Sequence, residues 1–133
     1  MRRLAKEKGE GKAVVWIDSG LHSSEVAPAQ HAPVLAHLMV TGESDEIRRI
    51  RDNVILVQVP VVNPDGHQMI VEWYRSNLRT QYELAPLPRL YQKYAGHDNN
   101  RDWFMFNLPE TRAVTKVLYH DWIPQVHIDE HQM

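Results

Sequence analysis

The chain has 133 residues, 43% hydrophobic and 24% charged, the make-up of one globular domain rather than of a disordered or fibrous chain. Its 15 Lys and Arg against 17 Asp and Glu give a net charge of -2, so electrostatics offers no case for a nucleic-acid partner. There is no cysteine, which excludes a disulfide framework and thiolate metal sites and leaves His, Asp and Glu as the only strong ligands for a metal.

Residues 1–12 carry Arg2, Arg3, Lys6, Lys8 and Lys12, interrupted by Glu7 and Glu10 and without interleaved aromatics, and read as a solvated lead-in. Charge stands where a signal peptide needs an apolar core, and no apolar run reaches membrane-spanning length. The chain therefore reads as soluble, with no membrane partner and no assignable compartment.

Ala13-Val14-Val15-Trp16-Ile17 is short, rich in β-branched residues and bounded by charge and by Gly20, and predicts a buried strand. The period then changes across Ser19-Gly20-Leu21-His22-Ser23-Ser24-Glu25. Ser23 or Ser24 can cap a helix, Glu25 falls in its first turn where the dipole favours a carboxylate, and Pro28 is tolerable that early. His22 thus ends a strand and Glu25 begins a helix, so the two can converge on the small volume that a zinc ion with nitrogen and oxygen ligands needs. Val26, Ala29, Ala32, Leu35, Ala36 and Met39 form one helical stripe, while Pro33 predicts a kink or break near 29–33. His31 and His37 read as surface or boundary residues.

A polar turn over 41–45 leads to a short helix or extended segment over 46–51. Residues 53–62 are nearly continuous β-branched sequence, the signature of a strand buried on both faces in a mostly parallel sheet, with Pro60 ending the pairing. Asn63-Pro64-Asp65-Gly66 is a turn signal, and 67–96 reads as a long, irregular, tyrosine-rich loop. Pro109 and Glu110 open a helix with Ala113, Val114, Val117, Leu118 and Trp122 as its apolar stripe, closed by Pro124. Residues 125–131 alternate after that proline and predict a last strand. The layout is α/β, a mixed, mostly parallel sheet flanked by helices, whose ligands bind outside the carboxyl ends of the strands.

Four pieces fall at those loop ends: His22 with Glu25, Asn63-Pro64-Asp65-Gly66, Asp98-Asn99-Asn100-Arg101-Asp102-Trp103, and Asp129-Glu130-His131. In this order they resemble the zinc metallocarboxypeptidases of the carboxypeptidase A type, the M14 family, over most of the chain from about Ala13. The resemblance implies a carboxypeptidase that uses one zinc per chain to hydrolyse the last bond of a peptide with a free C-terminal carboxylate. It implies His22, Glu25 and His131 as the zinc ligands, Asp98 as the carboxylate behind His22, and Asn100 and Arg101 as the grip on the terminal carboxylate. An arginine steadying the oxyanion is implied between the second and third pieces, where Arg75 is preferred to Arg79. These roles suit the residue types, since three protein ligands leave zinc one open position and Arg101 offers a fork matched to a carboxylate.

Two departures accompany the resemblance. Asp102 stands where the family more often has asparagine, which would alter the charge of the carboxylate pocket. The chain reaches Met133 two residues after the third implied ligand, while the family's general-base glutamate and substrate-capping tyrosine lie farther downstream. Residues 13–133 are accordingly expected to be a partial catalytic domain, truncated at the carboxyl end and poor in turnover. Side-chain specificity stays open for the same reason. Rival readings are an inverted zinc motif in His127-Ile128-Asp129-Glu130-His131, which a strand would disfavour by holding its histidines about 13 Å apart; a zinc amidase of the aspartoacylase type; and a non-catalytic zinc-binding fragment.

Overall fold

The computed structural model describes residues 11–132. The expected lead-in over 1–12 lies, except for Gly11 and Lys12, outside the described residues. Three strands form one sheet in the order β2-β1-β3, with β1 at Ala13–Asp18, β2 at Val54–Val59 and β3 at Val126–Asp129. Both pairings are parallel, with Asp18 opposite Val59 on one side and opposite Asp129 on the other. Four α-helices accompany the sheet among the described residues: α1 at Val26–Thr41, α2 at Asp45–Asn53, α3 at Pro64–Asn77 and α4 at Pro109–Thr115, which continues as a π-helical segment over Lys116–Trp122.

The alternation of β1 buries Val14, Trp16 and Asp18 on one face. Trp16 joins Leu21, Val62, Val114 and Leu118 in the core, so the apolar side of α4 and its π continuation closes that face. On α1 the expected stripe is the covered one: Ala32 is fully buried and Val26, Ala29, Leu35, Ala36 and Met39 are partly so, while Val34, Leu38 and Val40 are exposed. No break interrupts α1 at Pro33. The proline is exposed, and beside it the Gln58 amide of β2 donates to the Ala32 carbonyl at 2.9 Å, fastening the helix to the sheet at that point.

Two further expectations change. The strand over 53–62 is shorter and half-buried along its whole length, because β2 is an edge of the described sheet and has a neighbour on one side only. The loop over 67–96 begins as helix: Asn63 caps α3 by accepting the Gly66 N–H at 2.9 Å, and Pro64 occupies the first turn, where its missing N–H costs nothing. Asn63-Pro64-Asp65-Gly66 is thus a helix start rather than a turn. Among the described residues, no helix is long and apolar enough to cross a membrane.

Candidate metal centre

Parallel strands end at the same edge of a sheet, and three separate segments meet at this one. Beyond β1, the Ser19 N–H donates to the Val59 carbonyl, and the Val62 and Asn63 N–H groups donate to the Ser19 and Gly20 carbonyls. Gly20 takes the left-handed conformation that turns the chain, at φ 66°. A Cβ there would lie 3.3 Å from the Val61 backbone, so the turn needs glycine for space as well as for angle. Leu21 is then driven into the core, Ser23 is buried, and the Glu25 N–H closes the loop onto the His22 carbonyl at 3.0 Å. That leaves Glu25, not Ser23 or Ser24, as the residue before α1, and its side chain makes no capping bond. The carboxylate faces the two histidines instead.

His22 Nδ1 lies 2.8 Å from Glu25 Oε1, and His131 Nδ1 lies 2.9 Å from Glu25 Oε2. One ligand atom each from His22, Glu25 and His131 all fall within 4.8 Å of one another, and the two imidazole rings sit 4.8 Å apart at 60°. Behind these inner atoms stand outer carboxylates. His22 Nε2 is 2.9 Å from Asp98 Oδ1, and His131 Nε2 is 3.1 Å from Asp129 Oδ2.

Each ring therefore has a carboxylate at both nitrogens, although a neutral imidazole carries only one N–H. Giving the N–H to the outer carboxylate turns both Nδ1 lone pairs inward, toward Glu25, which is also an acceptor. Three inward lone pairs with no donor among them are the electronic requirement of a cation site. Tetrahedral zinc, with bonds of about 2.0–2.2 Å, separates its ligand atoms by about 3.3–3.5 Å, so seating it asks the two short inner contacts to open by about half an ångström and the widest pair, within 4.8 Å, to draw in. The donor set and its spacing fit zinc.

The same groups also shift one another's protonation. Burial would raise Glu25, but the Gln132 N–H and the two histidines outweigh it and lower its pKa. Asp98 is likewise lowered against its burial, by the Asn100 N–H, by His22 and by Arg101. Burial opposes protonation of His131, yet Asp129 and Glu25 together raise its pKa.

The loop that supplies Asp98 is pinned rather than floating. Asp98 caps a 3₁₀ turn over Asn99–Arg101 by accepting the Asn100 N–H at 2.8 Å, and the buried Asn99 amide donates to the Leu21 carbonyl at 2.8 Å. Sequence reasoning missed Asn99, whose partner lies 78 positions away. Asn100 Nδ2 reaches to 3.5 Å from His131 Nε2. The Arg101 guanidinium is exposed and, among the described residues, pairs with no carboxylate; its one bond is to the Asn100 carbonyl at 3.3 Å.

Arg75 lies in the last turn of α3 and lines a groove of about 570 Å³ with Val26, Gln30, His67 and Tyr74. Val26, the residue after Glu25, belongs to that lining, but no hydrogen bond joins Arg75 to the histidine cluster among the described residues. Arg79 is outside that groove. Asp102 does not face the carboxylate grip, contrary to the pocket charge its position suggested. It is fully buried and accepts from the Thr111 hydroxyl, the Leu108 N–H at 2.9 Å and His97 Nε2 at 3.1 Å, closing the entry to α4. Burial alone would raise it, and these donors instead hold it at about 2.

The two ends of the inverted motif also part. His127 Nε2 bonds Asp18 at 2.8 Å, away from His131, while the Glu130 carboxylate accepts from the Ser19 hydroxyl at 2.7 Å and approaches His31. Glu130 stands just beyond the end of β3 and is engaged by Ser19 and His31 rather than by the histidine cluster.

The family model for zinc carboxypeptidases, the M14 peptidases, matches residues 2–131. Among curated proteins, a zinc carboxypeptidase A 1 of Drosophila melanogaster is 28% identical over 96 residues, which cover 71% of this chain and 20% of the fly protein. The match thus spans about a fifth of that relative's length. No solved structure gives a significant match.

Proposed function

The chain belongs to the zinc carboxypeptidase family, and on that premise we propose that residues 13–133 supply the metal-binding part of a catalytic domain that hydrolyses the C-terminal peptide bond of peptides. His22, Glu25 and His131 hold one zinc per chain, and Asp98 fixes His22 in the tautomer that presents Nδ1. The observation that carries this reading is the trio of ligand atoms within 4.8 Å of one another, backed by a carboxylate at the outer nitrogen of each histidine. When bound, zinc would acidify a coordinated water and polarise the scissile carbonyl. Asn100, which reaches His131, and its neighbour Arg101 orient the substrate: a guanidinium with no carboxylate partner among the described residues grips a terminal carboxylate by two parallel hydrogen bonds, which a peptide amide cannot return. Arg75 has the reach of a long side chain and lines an open groove with Val26, the residue after Glu25, and steadies the developing oxyanion. Glu130 is engaged by Ser19 and takes no part in proton transfer.

Metal analysis and calorimetry on the zinc-loaded chain test the ligand set. One zinc per chain is expected, with tight binding lost in His131→Ala and retained in His127→Ala. The reverse pattern would discard the family's ligand set in favour of the inverted motif. A peptide with a free carboxyl terminus should bind more tightly than its amidated form, and Arg101→Ala should erase the difference.

A further inference from the structure

We propose that Asp129 is a positioning residue for the metal centre, holding His131 in the tautomer that presents Nδ1; the inference rests on the metal reading above. His131 is strung between an inner and an outer carboxylate, 2.9 Å from Glu25 Oε2 through Nδ1 and 3.1 Å from Asp129 Oδ2 through Nε2. The ring at the other end of the site has the same pattern, 2.8 Å to Glu25 and 2.9 Å to Asp98. A carboxylate accepting at Nε2 competes with Glu25 for the single N–H of a neutral imidazole, and when it holds that proton the Nδ1 lone pair faces inward.

The alternative neighbour shows what Asp129 prevents. Without it, the polar group next to Nε2 is the Asn100 amide nitrogen at 3.5 Å, which offers a hydrogen rather than accepting one. That neighbour favours the opposite tautomer, with the proton on Nδ1 donated to Glu25. A proton there occupies the position a metal would take.

The location of Asp129 argues against a purely structural purpose. It stands directly opposite Asp18 in the parallel ladder, where like charges repel, and Asp18 is buried with one carboxylate oxygen that no donor reaches. A residue serving only the sheet would be apolar or complementary at this register. An acidic one is explained by the histidine two residues on, which shares its face and reaches its carboxylate.

The test measures zinc affinity by competition with a chromophoric chelator for the chain and for Asp129→Ala, Asp129→Asn and His131→Ala. The His131 tautomer is read by ¹⁵N NMR on the metal-free protein, and a thermal midpoint is taken for each variant. Asp129→Ala should weaken zinc binding by about ten- to a hundred-fold and shift the His131 proton toward Nδ1. Its metal-free midpoint should hold or rise, because Asp18 loses a like-charged neighbour. Asp129→Asn, whose amide oxygen can still accept from Nε2–H, should recover part of the affinity. Unchanged affinity and tautomer in Asp129→Ala, with His131→Ala losing zinc, would overturn this inference and leave the metal reading standing. Wild-type affinity in His131→Ala would remove both. A weaker affinity accompanied by an unchanged tautomer and a lowered midpoint would make Asp129 structural and also overturn the proposal.

Discussion

Two buried carboxylates, Asp18 at the end of β1 and Asp102 at the entry to α4, have nearly the same burial and opposite electrostatics. Each is at most 1% exposed and each has a histidine partner, His127 for Asp18 and His97 for Asp102. Asp102 collects further donors from Thr111, Leu108 and Asn107 and is held at about 2. Asp18 is pushed up to about 6, first by burial and then by Asp129, against the indole N–H of Trp16 and against His127. At the corner both carboxylate oxygens of Asp102 find donors, and the product is a fixed helix entry. At the carboxyl edge of the sheet Asp18 faces Asp129 and keeps one buried carboxylate oxygen that no donor reaches. An acidic pair left in that state costs stability, which is the behaviour of a binding edge rather than of a core.

The strongest way to break the contrast is at the corner. Asp102→Ala leaves the Leu108 N–H without an acceptor and the Thr111 hydroxyl with only the Leu108 carbonyl, and should cost about 3 kcal/mol, read as a lower urea midpoint. Zinc affinity of the folded protein should be unchanged; a parallel loss of affinity would show that the two regions are one unit. The pH dependence has a definite sign. A carboxylate lowered on folding contributes stability above its unfolded value near 3.8, and that contribution disappears as the pH falls through about 2. Acid unfolding between pH 4 and 2 should therefore be less steep in Asp102→Ala.

At the edge, substitution should act on the metal and spare the fold. Asp98→Asn keeps an oxygen that can cap the Asn100 N–H but loses the charge behind His22. Zinc binding should weaken by about ten- to a hundred-fold, with a denaturation midpoint close to that of the unaltered chain. An unchanged affinity would remove Asp98 from the site.

The contrast also separates what the sequence discloses from what it hides. The β1 run, the opening of α4 by Pro109 and Glu110, and the convergence of His22, Glu25 and His131 are legible because local patterning and the common edge of parallel strands carry them. The helix over Pro64–Asn77 is hidden behind a composition that suits a turn equally well. The overlooked signal is an asparagine N-cap followed by proline in the first turn. Half-burial of β2 depends on its being an edge of the described sheet, which no run of valines reports. Asn99 and Asp102 belong to the same stretch of chain, yet one turns to the Leu21 carbonyl and the other to Thr111. Residue type alone marks both as polar loop positions, and only the tertiary partners distinguish a pin from a ligand grip.

The smallest expected effect is at Asp18 itself. A carboxyl group raised on folding contributes stability that is complete below its unfolded value near 3.8 and is lost as the pH climbs through about 6. The unaltered chain should accordingly lose stability between pH 4 and 6, the reverse of what Asp102 does at lower pH. Asp18→Asn removes the titrating group. Its amide oxygen can still accept from the Trp16 indole or from His127, and its NH₂ can donate to Asp129, turning a repulsive pair into a hydrogen-bonded one. The expected result at pH 7 is a gain of about 1 kcal/mol, with the slope between pH 4 and 6 flattened in urea melts. Because Asp129 keeps its place beneath His131, zinc affinity should hold. A destabilised Asp18→Asn with its pH 4 to 6 slope intact would mean that the strain at this edge does not lie between these two carboxylates.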